Sequence, residues 1–461
     1  MAVWWYSVLL GMQKDVYIYK DFISFVRING DSFSPNTQYF LFYQLAALGF
    51  RYLELINNDT RVELWKLCQE IVERFAKMIS VPLNMVSEDR RNHNIVVVIT
   101  EQFLATDNGP TKTALDRCKI LMTALEKEVV LINTAEIVSS VGAIPFYGVM
   151  SANYVDKFLS SEAAVWKGVR IPFVQCKKNM PEKKTLELLL EEIRNISPEY
   201  VVEIGGKSIL ANLVNKMFPV LCVGLSPSEM EFSTAKYQLL GRKISAEDEG
   251  ILKQVGIAKE KIIESVFTSS LKEQTQHVGR KELGISENDF LIVVVGARLD
   301  VEVTPEFLQI LNDIIEPGMH VVFLGGFNRY EASMDCFHKL KGRSSNLGFT
   351  DDILSRLELC DLYVAPKRVG GGTSVVEAMF KGLPVVVLNH GDMAVNAGEE
   401  FCVNDYKDMQ KKILEYYANP EYYKEMSQKA VKRAEQMLDS ETEFVKAIKE
   451  MEQQEGISKG E

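Results

Sequence analysis

The sequence is poor in the residues that metal and redox chemistry require. Its five histidines, at 93, 277, 320, 338 and 390, fall at no metal-ligand spacing. Its seven cysteines, at 68, 118, 176, 222, 336, 360 and 402, include no CxxC pair. No metal site and no cofactor are expected, and the scattered cysteines read as buried free thiols of a reducing, cytoplasmic compartment. Long apolar runs are also missing. The run over 39–50 is shorter than the roughly 20 residues of a membrane helix. The start, Met1-Ala-Val-Trp-Trp-Tyr-Ser-Val-Leu-Leu10, is apolar but has no basic n-region and no small-residue cleavage site. Both read as helix surface packed on a core, and contact of the tryptophan-rich start with the inner face of a membrane stays open. Positive charge is short as well: 52 Lys and Arg face 63 Asp and Glu, a net charge of −11, which argues against a nucleic-acid partner. No repeat of solenoid period is present.

What is there suits a large globular protein. The chain has 461 residues, 47% hydrophobic and 25% charged, enough for two or three domains. Residues 1–90 alternate apolar and charged positions at helical spacing; Leu64, Leu67, Ile71 and Phe75 share one face. This predicts a helical N-terminal extension. Residues 91–286 then alternate strands and helices, with strands expected at 94–100, 128–133, 170–174, 200–204 and 220–224. A polar stretch at 280–288 reads as an interdomain linker. A second α/β domain is expected over 287–430, and a C-terminal helix and tail over 431–461. Gly205-Gly-Lys-Ser208 looks like the end of a P-loop, but the earlier glycine falls on Val201, so a strand-to-helix turn is the better reading.

The most informative segment is Gly370-Gly-Gly-Thr-Ser-Val-Val-Glu-Ala-Met-Phe-Lys-Gly-Leu-Pro384. A short strand precedes it and another follows. Three glycines, Gly370, Gly371 and Gly372, run into a helix with Thr373 and Ser374 in its first turn and Glu377 one turn on. Glycines let a ligand approach the backbone, and a helix N-terminus offers unpaired N–H groups and a positive dipole end. Lys367 and Arg368 add charge. The unit reads as an anion cradle with a carboxylate, Glu377, placed to accept sugar hydroxyls.

That description resembles the donor site of the GT-B glycosyltransferases, and within them the large bacterial group whose C-terminal domain reads strand, Gly-rich turn, Glu-Ala, Gly-x-Pro-Val-Val. The likeness is good over 289–440 and holds in outline over 94–285. It implies two Rossmann-like domains facing each other across a cleft, with the helical extension added. Val293-Val-Val-Gly296-Ala-Arg298-Leu299 resembles the first strand of the donor domain, whose arginine, here Arg298, faces the donor diphosphate. Val321-Val-Phe-Leu-Gly325-Gly326 resembles the second strand and its turn. Leu347-Gly348-Phe349-Thr350-Asp351-Asp352 resembles the loop that cradles the nucleotide base. His390 and Asp392, after the next strand, are expected either at the donor or in structuring their loop. Two positions depart from the retaining branch: Val369 replaces its first glutamate, and Val303 replaces its lysine beside the diphosphate. Lys367 or Arg368 is expected to supply the missing charge.

The resemblance implies transfer of a sugar, a hexose or N-acetylhexosamine, from a nucleotide-diphosphate donor, UDP-sugar being favoured. The acceptor is a glycan, lipid-linked or protein substrate, and the donor is held without a metal ion. If the reaction inverts, it needs a base near the acceptor; Glu101 and Asp107 are the candidates, with Gly109 and Thr111 on the acceptor loop. Stereochemistry stays open. Two other readings remain: a nucleotide-sugar 2-epimerase of the same fold, and a non-catalytic partner of an active glycosyltransferase. Self-association or a glycosyltransferase partner is compatible with either.

Overall fold

The helical periodicity at the start of the chain becomes four helices, each with a clear local cause. In the computed structural model they are α1 (Ala2–Met12), α2 (Val16–Ile28), α3 (Pro35–Arg51) and α4 (Asn58–Met78). Asp15 caps α2 through the Tyr17 and Ile18 amides, Ser34 caps α3 ahead of Pro35, and Asn57 with Thr60 forms a reciprocal cap on α4. The structure describes residues 1–105, 108–136, 155–177, 180–368 and 370–457, with Leu53 described for its backbone alone. Among these residues no helix is long and apolar enough to cross a membrane. The apolar run over 39–50 is mostly buried on α3, whereas α1 leaves Trp4 and Trp5 exposed. All seven cysteines are free, five of them buried.

The chain divides into two units. The first holds Met1–Leu225, Glu229–Ser265 and Glu441–Glu461. Its sheet has eight strands: β1 (Asn92–Thr100), β2 (Glu128–Asn133), β3 (Ala163–Trp166), β4 (Val169–Gln175), β5 (Pro198–Ile204), β6 (Val220–Val223), β7 (Tyr237–Leu240) and β8 (Ile262–Glu264). Their order is β3-β4-β2-β1-β5-β6-β7-β8, parallel except where β3 pairs antiparallel with β4. The helical region is present as expected, but it is no separate appendage. Tyr19, Phe22, Phe42, Leu67 and Phe75 share one buried cluster with Val97, Ile99, Val201 and Val220 of the sheet. The other sheet face is covered in part by the C-terminal helix Ser440–Glu455, whose Phe444, Ala447, Ile448 and Met451 pack with Val96, Val98 and Val202.

The second unit comprises Val266–Ser440 with Ser226–Ser228. Its strands are β9 (Phe290–Gly296), β10 (Met319–Gly325), β11 (Ser344–Gly348), β12 (Leu362–Val364), β13 (Val385–Leu388) and β14 (Cys402–Val403). The order β11-β10-β9-β12-β13-β14 is parallel throughout. Counted from β9 this is the doubly wound order 3-2-1-4-5-6, and the chain reverses its direction of winding between β9 and β12. The helix Pro420–Leu438 packs Met426, Ala430, Ala434 and Met437 into the same core as Val375, Val376 and Met379 of the helix Gly372–Phe380.

The expected linker at 280–288 is instead built into the second unit. The Arg280 guanidinium reaches the Leu359 carbonyl at 2.6 Å, the Asp289 carbonyl at 2.6 Å and Asp361 Oδ2 at 2.8 Å. Near this stretch the chain passes from the first unit into the second at Ser265–Val266. Polarity misled here because Arg280 satisfies backbone carbonyls rather than solvent.

Candidate functional site

In an open α/β sheet the ligand crevice lies beyond the carboxyl ends of the strands where winding reverses. In the second unit that point is flanked by Gly296–Arg298 after β9 and by Ala365–Gly372 after β12. The helix Gly372–Phe380 starts there from Gly371, which has φ +99° and provides no side-chain cap. The first amides of the helix are thus left for water or a ligand. Thr373 is exposed, Ser374 half-buried, and Glu377 half-buried one turn along. Ser374 Oγ donates to the Gly371 carbonyl at 2.8 Å and lies 2.8 Å from the Tyr363 hydroxyl. Val369 lies outside the described residues.

The two cations of which one was expected to supply the missing charge have separate fates. Lys367 is exposed, and its amide donates to the Tyr406 hydroxyl at 3.1 Å. Arg368 is only 5% exposed at its side chain. Its guanidinium bonds Glu302 Oε2 at 2.8 Å and the Tyr363 hydroxyl at 3.0 Å. It also fills the space under the glycine turn, since a Cβ built on Gly371 would sit 2.7 Å from Arg368 Nε. Arg368 therefore supports the turn and is not presented to a ligand. Arg298 is 56% exposed and bonds Glu302 Oε1 through Nε at 3.2 Å and Nη2 at 3.0 Å. Val303 is buried in the core and brings no charge.

The remaining donor-side residues fall into two groups. Gly325, Gly348 and Phe349 line an open pocket of about 550 Å³ at the ends of β10 and β11, with Gly326, Phe327 and Asn346. Gly325 has φ +124°, and a Cβ there would lie 2.0 Å from the Gly296 carbonyl oxygen, so only glycine fits. Phe349 is 74% exposed beside it. Thr350 and Asp352 instead brace each other, and Asp352 also caps the helix Ile353–Leu357 and holds the Thr275 and Gln276 amides. His390 is exposed at the start of the helix Gly391–Ala397. Asp392 is buried, and its Oδ1 accepts the Ser226 hydroxyl at 2.5 Å, the Ser228 hydroxyl at 2.7 Å and the Ser228 amide at 3.3 Å. Its carboxylate closes that serine turn.

Glu302, Tyr363 and Asn396 were missed in the sequence. Glu302 carries a readable signal, its spacing of four from Arg298. Asn396 has none; its Nδ2 is buried with no partner among the described residues, and a Cβ on Gly372 would lie 2.6 Å from it.

The acceptor-side candidates belong to the first unit. Glu101 directly follows β1, on the loop expected there, and is only 4% exposed. The Tyr43 hydroxyl of α3 donates to its Oε1 at 3.3 Å, and its Oε2 has no partner among the described residues. Tyr39, one turn earlier on α3, donates to the Lys207 carbonyl at 3.0 Å. Glu136, Glu203, Glu231 and Lys207 complete the cluster, with Lys207 Nζ on Glu231 Oε2 at 2.8 Å. Burial pushes Glu101 up to about 7 against the pull of Lys207, and Glu231 and Glu136 push the same way. Burial likewise takes Glu136 to about 7 and Glu203 to about 8. Thr111 is fully buried, accepting from the Leu104 amide at 2.8 Å and donating to Asn108 Oδ1 at 3.2 Å, so it shapes its loop. Gly109 is exposed at the first position of the helix Gly109–Thr123. Asp107 lies outside the described residues.

Residues 276–433 match the family model described as Glycosyl transferases group 1. A glycosyltransferase from Rickettsia africae ESF-5 aligns at TM-score 0.56 and 11% identity, over 80% of this chain and 100% of that one. A mutant O-GlcNAc transferase from Thermobaculum terrenum aligns at 0.56 and 13%, over 90% of this chain and 77% of that one. Anabaena Alr3699/HepE in complex with UDP aligns at 0.50 and 13%, over 79% and 100%. No curated protein matches. Such identities establish fold, and the fold is that of the GT-B glycosyltransferases. Within it, the segment that resembles group 1 glycosyltransferases, residues 276–433, lies in the second unit.

Two outcomes follow for the two units. Gly371→Ala combines a strained left-handed φ with a clash against the Arg368 guanidinium, so it should cost about 1–3 kcal/mol or more and weaken nucleotide binding. Wild-type melting together with wild-type UDP affinity would refute the packing described. In the first unit, Glu101, Glu136 and Glu203 are held above the ordinary 4.5, at about 7, 7 and 8. The folded chain then keeps protons that the unfolded chain releases, so their contribution to stability is full below 4.5 and is lost as pH rises towards 8. Thermal melts across that window should fall with rising pH, and Glu203→Gln should flatten the fall. An unchanged slope in the variant would contradict the assignment.

Proposed function

We propose that this protein transfers a sugar from a nucleotide-diphosphate donor to a glycan, lipid-linked or protein acceptor. The observation that carries this reading is the uncapped N-terminus of the helix Gly372–Phe380, at the winding reversal and inside the matched segment. The donor diphosphate lies against those amides and Arg298, and Glu377 accepts hydrogen bonds from the ribose. The base occupies the pocket lined by Gly325, Gly348 and Phe349. The Anabaena structure was determined with UDP, which favours a UDP-sugar here. Breaking the anomeric bond places negative charge on the leaving diphosphate, and fixed amide dipoles with an arginine stabilise it without reorganising. No divalent ion is needed in this scheme. For an inverting reaction, Glu101, held near 7 by burial, has a suitable pKa for a general base.

Two observations favour a second reading, a non-catalytic partner subunit: Glu302 bonds both arginines, and Val303 stands where a lysine was expected. Incubation with UDP- and GDP-sugars separates the possibilities, since released nucleotide marks transfer or hydrolysis, an epimerised sugar marks a 2-epimerase, and neither marks a partner. Glu377→Ala should weaken UDP binding at least about tenfold, the scale of one charge-assisted hydrogen bond, while melting as wild type; unchanged calorimetric affinity removes Glu377 from the site. Transfer should survive EDTA. Loss on chelation with rescue by Mg²⁺ or Mn²⁺ would refute the metal-free scheme.

A further inference from the structure

The place assigned to the donor diphosphate already holds an anion. Glu302 ends the short helix Leu299–Glu302, and its carboxylate divides its oxygens between two arginines: Oε1 to Arg298 at 3.0 Å and Oε2 to Arg368 at 2.8 Å. It stands at the carboxyl end of β9, since a Cβ built on Gly296 would lie 3.0 Å from Oε2. The same construction puts Arg368 Nη1 at 2.5 Å from that Cβ, and Gly371 is adjacent to the guanidinium as well. One carboxylate thus offsets the charges of both arginines at the winding reversal.

The two arms differ in what they can release. Arg368 is buried and also bonded to Tyr363, so separating it from Glu302 would strand a buried charge. Arg298 is more than half exposed, and an exposed i,i+4 pair is weak. A diphosphate offers that guanidinium two charged acceptors in its own forked geometry, which is the stronger partner.

We propose that Glu302 is a built-in counter-anion: it holds Arg298 back in the empty site and yields it when a diphosphate binds. Rather than binding substrate, Glu302 is a positioning residue that lowers the affinity of the pocket for nucleotide diphosphates and so favours product release. This inference rests on the donor reading above.

Calorimetric titration of UDP and of inorganic pyrophosphate into wild type, E302Q, R298A and the double variant tests it. E302Q should bind both ligands about tenfold tighter, the scale of removing one charge near the ligand, with a steeper salt dependence. The gain should vanish in the R298A background, because it acts through Arg298. A merely structural Glu302 predicts the opposite: weaker binding in E302Q, or a gain that persists without Arg298, and either result overturns the proposal. If E302Q fails to fold, E302D keeps a charge beside Arg368 but is a methylene too short to hold both arginines. E302D should then bind UDP at least about threefold tighter, and no gain overturns the proposal equally. Wild type that binds UDP while every substitution leaves affinity unchanged refutes this inference alone. No binding by any of the four proteins refutes the donor reading and this inference with it.

Discussion

The buried Arg368 guanidinium is the contact around which the candidate donor site is arranged. It occupies the volume that side chains at Gly296 and Gly371 would need, and it joins the ends of β9 and β12 through Glu302 and Tyr363. A desolvated cation is costly unless its donors are met, so the surrounding residues are constrained together. The glycines are small because the arginine is there, Tyr363 is fully buried beneath it, and Ser374 ties the helix start to the same hydroxyl. The cradle owes its shape to a charge that never faces the ligand.

The first unit solves a different electrostatic problem. Its sheet ends in four carboxylates around one lysine, and the helical region closes over them with Tyr39 and Tyr43 of α3. Such a cluster persists near neutral pH by keeping protons, which is what burial imposes on Glu101, Glu136 and Glu203. The α3 helix is therefore hydrogen-bonded to the carboxyl ends of the central strands, and its apolar face continues the sheet's own core.

Much of this was legible in the sequence where periodicity was strong. The second strand was expected at its observed bounds, Glu128–Asn133. The glycine run announced the turn and helix of the second unit. Three short strands escaped: β3, β7 and β8 have three or four residues, too few to display an alternation, and they lack the continuous apolar run ahead of a glycine that marks β6. Site residues were legible as to place and less so as to role. Arg368 looked like a ligand contact because positive charge near a glycine turn suggests an anion, yet burial turned it inward to Glu302; of the two readings open for Asp392, its bonds to Ser226 and Ser228 match the loop-structuring one. Burial is a property of long-range packing, and a local motif does not encode it. The same holds for Glu101, which only the contact with α3 encloses.

The C-terminal helix Ser440–Glu455 returns to the first unit, so the second unit is an insertion in the chain of the first. On the ribosome this has a direct consequence. One face of the first sheet, at Val96, Val98 and Val202, is covered by the helix Gly109–Thr123 early but stays partly open until residues beyond 440 have emerged, although β1 was synthesised some 340 residues earlier. The second unit, contiguous over Val266–Ser440 apart from three residues, has most of its contacts available sooner. The later-made unit is thus able to fold first, and the nascent first unit carries an apolar sheet face through most of its synthesis, the kind of surface on which chaperones act.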